Sequence, residues 1–363
     1  MVRLTRAQQQ ERTRAAVLAA AREEFAERGY VEAKVDRIAD RAELTRGSVY
    51  SNFPSKRALY LAVLVDLVER PGISARSAGA AAPTSVAEAL GRFARVWLER
   101  LPLVGDTPAG GQLQLRSLAG VLDDEPARTA LAQVIRLEAL LLALALESCG
   151  PRHPVRVRRV RLAELVLTLL DGSGHLAETA PGLTDPFDVA RACEHLAGIE
   201  LADTGEPPHL PYLAPARSTH ETWVPPAELA DQITGSPVGF GEDGVIALLG
   251  TGRLAAAEEA IRAAGPDDRI TVVVLTGDPA ELGRLVRLRI SDLTRALRRV
   301  FGPDTWPRLR LVLDDDGRTA SAAGVPDPGD STEAAVRIRA GTIVARAHGR
   351  GAAYAAVSVG ASA

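Results

Sequence analysis

Cysteine is nearly missing from this chain of 363 residues, which has 2, Cys149 and Cys193. They are far apart and have no metal-ligand spacing, which excludes a disulfide framework and a dithiol redox motif. Both read as small core residues in a reducing compartment. Lysine is almost as scarce: Lys34 and Lys56, both near the N-terminus, stand among 43 Lys and Arg residues. No charge of one sign dominates either. A formal net charge of −3 makes no overall polyanion-binding statement, so any nucleic-acid surface must be local. The first residues lack the apolar centre of a signal peptide, and no uninterrupted apolar run is long enough for a bilayer. A cytoplasmic location and no membrane partner are the resulting expectations. No internal repeat is visible.

What is present suits a soluble globular protein of two or three compact units, with 46% hydrophobic and 25% charged residues. To about Asp203 the periodicity is helical. Gln8 to Arg28 carries Val17, Leu18, Ala21 and Phe25 on one face, with Gly29 at the expected left-handed stop. Val35, Ile38, Ala39 and Ala42 mark a short second helix, and a third begins near Thr45 and buries Val49 and Phe53. Pro54-Ser55 opens a longer helix with Leu59, Val63 and Leu67 inward. A turn-rich stretch follows from Pro71 to Pro83. Helical stripes resume at Leu90, Phe93, Trp97 and Leu101, then at Leu131 to Leu146, Val155 to Leu170 and Phe187 to Ile199. The last three are apolar enough to require a bundle.

After a Pro-rich segment with Pro207, Pro208, Pro211 and Pro215, the period changes to alternating. Val245 to Leu249, Ile270 to Leu275 and Leu309 to Leu313 read as strands, and Leu254 to Ala264 as a helix. Ala334 to Ile338 and Thr342 to Ala347 read as a hairpin turning at Ala340-Gly341, with a terminal helix from about Gly351. This is an α/β pattern in a separate domain.

The run from Val35 to Lys56 carries the chemistry. Two short helices join through a tight turn at Glu43-Leu44. The second buries its apolar residues and turns Gly47, Ser48, Tyr50, Ser51 and Asn52 outward, small or hydrogen-bonding groups that fit a major groove. Gly47 permits close approach, while Tyr50 and Lys56 supply a hydroxyl and a cation for phosphates. Lys56 also lies at a helix start, where an anion is favoured.

Ile38-Ala39, the turn, Gly47-Ser48-Val49-Tyr50 and Phe53-Pro54-Ser55-Lys56 together resemble the tetracycline-repressor (TetR) family over about residues 12 to 66. The resemblance implies that the third helix reads DNA, and that Arg46, Gly47, Ser48, Tyr50, Asn52 and Lys56 are the contacts, to which Lys34 is added from its own chemistry. Two positions depart from the pattern: Glu43 replaces the usual turn glycine, and Lys34 replaces a threonine, exchanging a capping hydroxyl for a phosphate contact. The resemblance further implies a helical domain that binds a small-molecule effector and forms a homodimer. Val155 to Leu170 and Phe187 to Ile199 are placed in the dimer bundle, and Phe93, Trp97 and Arg116 line the ligand cavity. His175 and His195 are isolated and read as core or surface groups, so no metal is expected.

From about Thr222 the chain resembles the thioredoxin-like superfamily, closest in layout to peroxiredoxin-type members. Trp223-Val224-Pro225-Pro226 before Glu228-Leu229 looks like the lead-in strand and short helix. Val312 to Arg318 with Ala323-Gly324-Val325 resembles the strand-turn-helix before the final hairpin, and Gly341 to Gly349 the closing strand. The thiol position after the first core strand holds Gly250-Thr251-Gly252-Arg253, and Ser331-Thr332-Glu333 stands where a cis-proline is usual. The expected fold is thus multidomain: a helix-turn-helix domain over 1–66, a helical ligand-binding and dimerisation domain over 67–203, a linker over 204–221 and an α/β thioredoxin-like domain over 222–363. The expected function is a dimeric repressor released from double-stranded operator DNA by a small molecule, with no cofactor, no catalytic residue and no enzymatic activity. The alternative is a regulator fused to a catalytic domain, thioredoxin-like or nucleotide-binding, in which Gly250-Thr251-Gly252 cradles a phosphate.

Overall fold

The computed structural model describes residues 5–70, 82–101, 113–114, 116–149, 158–203, 213–226, 229–265 and 267–359. The chain begins with four helices: α1 (Arg6–Glu32), α2 (Val35–Arg41), α3 (Arg46–Asn52) and α4 (Lys56–Glu69). Three of their starts follow from side-chain caps. Thr5 and Gln8 form a reciprocal capping box on α1, Thr45 Oγ1 accepts from the Ser48 N–H at 3.2 Å, and Ser55 Oγ accepts from the Ala58 N–H at 2.9 Å. Gly29 does break the helical path of α1, at φ 68° and ψ 178°, a region open essentially to glycine. Helix resumes beyond this kink as far as Glu32. Phe25, Ile38, Val49, Phe53, Leu59 and Leu64 fill the core of this unit.

The next helices are α5 (Val86–Leu98), α6 (Glu125–Glu147), α7 (Val160–Thr179) and α8 (Pro186–Leu196). Residues 71–81 of the turn-rich stretch and the start of the Val155 to Leu170 run lie outside the described residues. Among the described residues one helix, α6, is long and apolar enough to cross a membrane by length and composition, although Arg136 and Glu138 interrupt its apolar run. It is the central core helix, mostly buried, and carries the fully buried Glu138. On α8, Val189, Ala190 and Cys193 are buried, whereas Phe187 is 78% exposed and Ile199, past the end of the helix, is exposed too.

The remainder builds one six-stranded sheet, ordered β1 (Arg217–Thr222), β6 (Thr342–His348), β5 (Glu333–Arg339), β2 (Gly244–Gly250), β3 (Ile270–Leu275) and β4 (Leu309–Leu313). The pairs β2–β3 and β3–β4 are parallel, whereas β2–β5, β5–β6 and β6–β1 are antiparallel. Parallel neighbours need crossovers, supplied by α9 (Ala256–Ala263) between β2 and β3 and by α10 (Arg284–Val300) between β3 and β4. A short helix, α11 (Arg318–Ala322), precedes the hairpin and α12 (Ala352–Ser358) ends the fold. The hairpin turns at Ala340 and Gly341, with φ 45° and 71°; two successive positive φ values suit the right-handed strand twist. Two placements need correcting. The lead-in strand begins at Arg217, inside the segment read as linker, and ends at Thr222; Trp223 follows it, donating from Nε1 to the Phe240 carbonyl at 2.7 Å. Leu229 is not helical.

Along β2, Val245, Ala247 and Leu249 face one way while Ile246 and Leu248 face the other. The second face is closed by Trp223, Phe240 and Ala320. The first does not end at the sheet: its hydrophobic cluster runs without interruption through α9, α10 and α12 into Phe93, Trp97, Leu140 and Leu167 of the helical part. The domain expected to be separate therefore shares its core with the helices. The agent is α10, which lies against α4, α5 and α6.

Candidate nucleic-acid interface

Helices α2 and α3 are joined at Glu43, whose φ of 55° is left-handed. The turn closes through the Leu44 N–H, which donates to the Ala39 carbonyl at 3.0 Å. Arg41 anchors α2 to α1 through Glu27, Glu23 and the buried Glu24. Asp36 pairs with Arg46 at 3.3 Å and so sets the start of α3 against α2. Val49 faces the core, and Arg46, Gly47, Tyr50 and Ser51 are exposed. Arg46 also lies over the Tyr50 ring at 5.5 Å. A Cβ at Gly47 would meet only Thr45 Oγ1, at 3.8 Å, so folding does not demand glycine there. What glycine supplies is a low spot on an exposed helix face, where a groove edge can come close.

The other predicted contacts are placed less simply. Lys34 is exposed at the N-cap of α2 and makes no side-chain cap, as expected for a lysine in place of a hydroxyl. Ser48 Oγ lies 2.9 Å from Thr45 Oγ1, and Asn52 Nδ2 donates to the Ser48 carbonyl at 2.9 Å, so both polar groups are engaged within α3. Lys56 turns inward. Its Nζ donates to the Val31 carbonyl at 2.9 Å and sits 4.8 Å from the centre of the Tyr30 ring. Burial lowers its pKa. Reaching a phosphate requires it to give up that carbonyl.

Sequence reasoning missed what grips this unit from behind. Glu281, in the π-helical turn before α10, binds both Ser55 and Arg57 at the start of α4. Arg57 is held also by Asp124 at 2.5 Å. Arg284 donates to the Ala58 carbonyl at 2.9 Å, and its guanidinium lies 5.4 Å from the Phe53 ring, which Arg14 covers at 5.0 Å. Phe53 is the C-cap of α3, so the C-terminal part touches the end of the candidate recognition helix. Farther along, Arg295 donates to the Val68 carbonyl at 2.8 Å and Ser291 to Glu69 at 3.0 Å. Leu282, Leu285 and Leu288 belong to the same hydrophobic cluster as Phe25 and Ile38. The signal was an apolar stripe at helical spacing: Leu285, Leu288, Leu293, Leu297 and Val300.

Of the predicted ligand-lining residues, Trp97 and Arg116 share a cleft of about 200 Å3 between α5 and α10, and Phe93 does not line it. Phe93 is buried in the core, its ring 5.6 Å from that of Trp97. At the C-terminal ends of β2 and β3, the Gly250-Thr251-Gly252 loop has its N–H groups engaged. Gly250 donates to the Thr332 carbonyl, Thr251 to Leu275 and Gly252 to Asp330, at 2.8, 3.0 and 2.8 Å. A Cβ at Gly250 would collide with the carbonyl oxygens of Gly329 and Asp330. The glycine is thus accounted for by close backbone approach, and those donors do not point at an open anion site. Asp330 accepts from Thr251 and Thr276 hydroxyls at 2.6 and 2.8 Å. The next turn docks on α6, where the Ala255 N–H donates to Gln133 at 2.9 Å. The two cysteines lie elsewhere, and burial pushes the Cys193 thiol up to about 11.

Residues 17–63 match the family described as bacterial regulatory proteins, tetR family. Residues in this range are a TetR-family DNA-binding domain. A curated relative, the HTH-type transcriptional activator FasR of Mycolicibacterium smegmatis, is 51% identical over 51 residues, which is 14% of this chain and 23% of the relative. The chain thus spans about a quarter of the length of that relative. Among solved structures, a TetR transcriptional regulator from Rhodococcus sp. RHA1 is 20% identical, covering 52% of this chain and 94% of that one with a TM-score of 0.31. The transcriptional regulator FadR from Bacillus subtilis, solved in complex with stearoyl-CoA, is 14% identical over 51% of this chain and 99% of its own, with a TM-score of 0.34. The TetR-type domain accounts for α2 and α3 and most of α1 and α4.

Proposed function

We propose that this chain is a cytoplasmic, DNA-binding transcriptional regulator that acts as a homodimer and answers to a small-molecule effector. The observation that carries the proposal is the exposed face of α3, with Arg46, Gly47 and Tyr50 outward, inside a segment matched to TetR-type DNA-binding domains. A two-fold dimer suits a palindromic operator. Its supporting surface is the exposed apolar set Leu165 and Leu176 on α7 and Phe187 on α8, costly in water and suited to a second copy. The direction of regulation is proposed as repression. The FasR relative is called an activator, and the same DNA contacts serve either outcome according to where the operator lies.

The C-terminal part is proposed as a thioredoxin-like fold used for binding and not for redox catalysis. In support, a β-α-β-α-β run with parallel neighbours is followed by an antiparallel hairpin and a helix. Residues 222–363 hold no cysteine, and the loop after β2 engages its N–H groups internally. Its proposed role is to set the attitude of the DNA-binding unit through α4. A conformational change at α10 is then felt at Ser55, Arg57 and Phe53, and operator affinity follows.

The test is binding of the full chain to its own upstream region across a salt series. Tyr50→Ala should weaken binding about tenfold. Lys34→Ala should lower the salt slope by about 1 while weakening all sequences alike. Unchanged affinity and slope in both variants would sink the interface.

A further inference from the structure

We infer that the cleft between α5 and α10 is a binding site for a small polyanion, one bearing two carboxylate or phosphate groups. Four guanidinium groups line it, from Arg100, Arg116, Arg295 and Arg299, against two carboxylates, Glu99 and Asp292. Asp292 is shared by Arg100 and Arg116, Glu99 takes Arg299 at 2.5 and 2.8 Å, and Arg295 has a carbonyl as its hydrogen-bond acceptor. Asp171, 3.9 Å from Arg100, is held more closely by Arg289 at 3.0 Å. Partly buried cations in excess of their counter-charges favour an incoming anion, and guanidinium forks match the geometry of carboxylate and phosphate.

Two independent observations point the same way. Trp97 lines the cleft with a side chain 3% exposed, and its indole N–H meets no acceptor. Buried donors without acceptors are costly unless a ligand or water meets them. Arg116 also holds a left-handed φ of 56°, a strained conformation for a non-glycine residue and one that recurs at ligand clamps.

The consequence rests on the regulator proposal. Arg295 lines this cleft and also a second one of about 270 Å3 that reaches Val68 and Glu69 at the end of α4. An anion that draws Arg295 toward α5 takes it from the Val68 carbonyl and loosens the hold of α10 on α4.

Isothermal titration of the full chain with sodium succinate and with sodium pyrophosphate, at ionic strength matched with NaCl, tests the site. Saturable binding of one of the two is expected, which also tells a dicarboxylate from a phosphate ligand. Arg116→Gln and Arg299→Gln should each weaken it about tenfold, with far-UV circular dichroism unchanged. Arg318→Gln, on an exposed pair with Asp316, should bind as wild type. No saturable binding of either probe, or equal binding by all variants, overturns the site. In the same buffer the bound probe should shift operator affinity in wild type and not in Arg295→Gln. Probe binding without that shift overturns the coupling alone, and failure to bind operator without any probe counts against the regulator proposal instead.

Discussion

Glu43 occupies the left-handed region that glycine enters without penalty, yet it carries an exposed carboxylate side chain. A non-glycine residue there costs roughly 1 kcal/mol of backbone strain, partly offset because glycine loses more entropy on folding. Glu43→Gly should therefore raise the stability of the chain by about 0.5 kcal/mol, read from a urea midpoint at unchanged slope. A lower midpoint would mean that the glutamate side chain compensates the strain locally. The position was legible in the sequence as a departure from the turn pattern, and so was Lys34. Lys56 was not, because its type and place at a helix start fit a phosphate contact equally well. Only the packing of Tyr30 and the Val31 carbonyl shows the ammonium turned inward.

Element by element, what was legible followed the strength of the hydrophobic period. Runs such as Ile270 to Leu275 have no polar interruption but Thr271, so a strand buried on both faces is the economical solution. The hairpin was legible from Ala340-Gly341. Helix α10 was not, since six arginines in its 17 residues give it the look of a solvated surface. Those side chains cover apolar surface with their stems and find buried partners with their heads. Arg289 is the clearest case, paired with Glu138 of α6 at 2.6 Å and with Asp171 of α7 at 3.0 Å. Burial pushes the Glu138 carboxyl up to about 7 from 4.5, against the pull of Arg289. Between those values the folded chain holds a proton that the unfolded chain has lost, so this group makes the fold less stable as pH rises through the window. Glu138→Gln cannot titrate. The stability of wild type relative to Glu138→Gln should fall from pH 5 to pH 7 and level off above, measured by denaturant midpoints. A difference independent of pH would mean that Arg289 keeps the carboxylate ionised throughout.

At the scale of the molecule, the sequence shows where the chain changes texture but not that the parts share a core. Proline near residue 210 marks a break in local structure, whereas burial is decided by distant contacts. Phe93, Trp97 and Leu140 lie in one cluster with Val245, Ile290 and Leu311, and Leu285 fills the core beneath the helix-turn-helix. Trp306 adds a hydrogen bond from the C-terminal part to the Leu141 carbonyl at 3.0 Å, and Arg262 adds an ion pair to Asp203 at 2.7 Å. A chain cut after Asp203 would expose the faces of α4, α5 and α6 that α10 covers. Each large apolar side chain returned to water forfeits about 1.5–3 kcal/mol, and a handful of them equals the whole stability of an ordinary domain. Residues 1–203 alone should therefore lack a cooperative thermal transition and bind a hydrophobic dye, while the full chain melts in a single calorimetric step. Two separable transitions in the full chain, one reproduced by residues 1–203, would show that the TetR-type part stands on its own. In that case α10 would be a passenger on α4, and a signal in the C-terminal part would have no rigid path to α3.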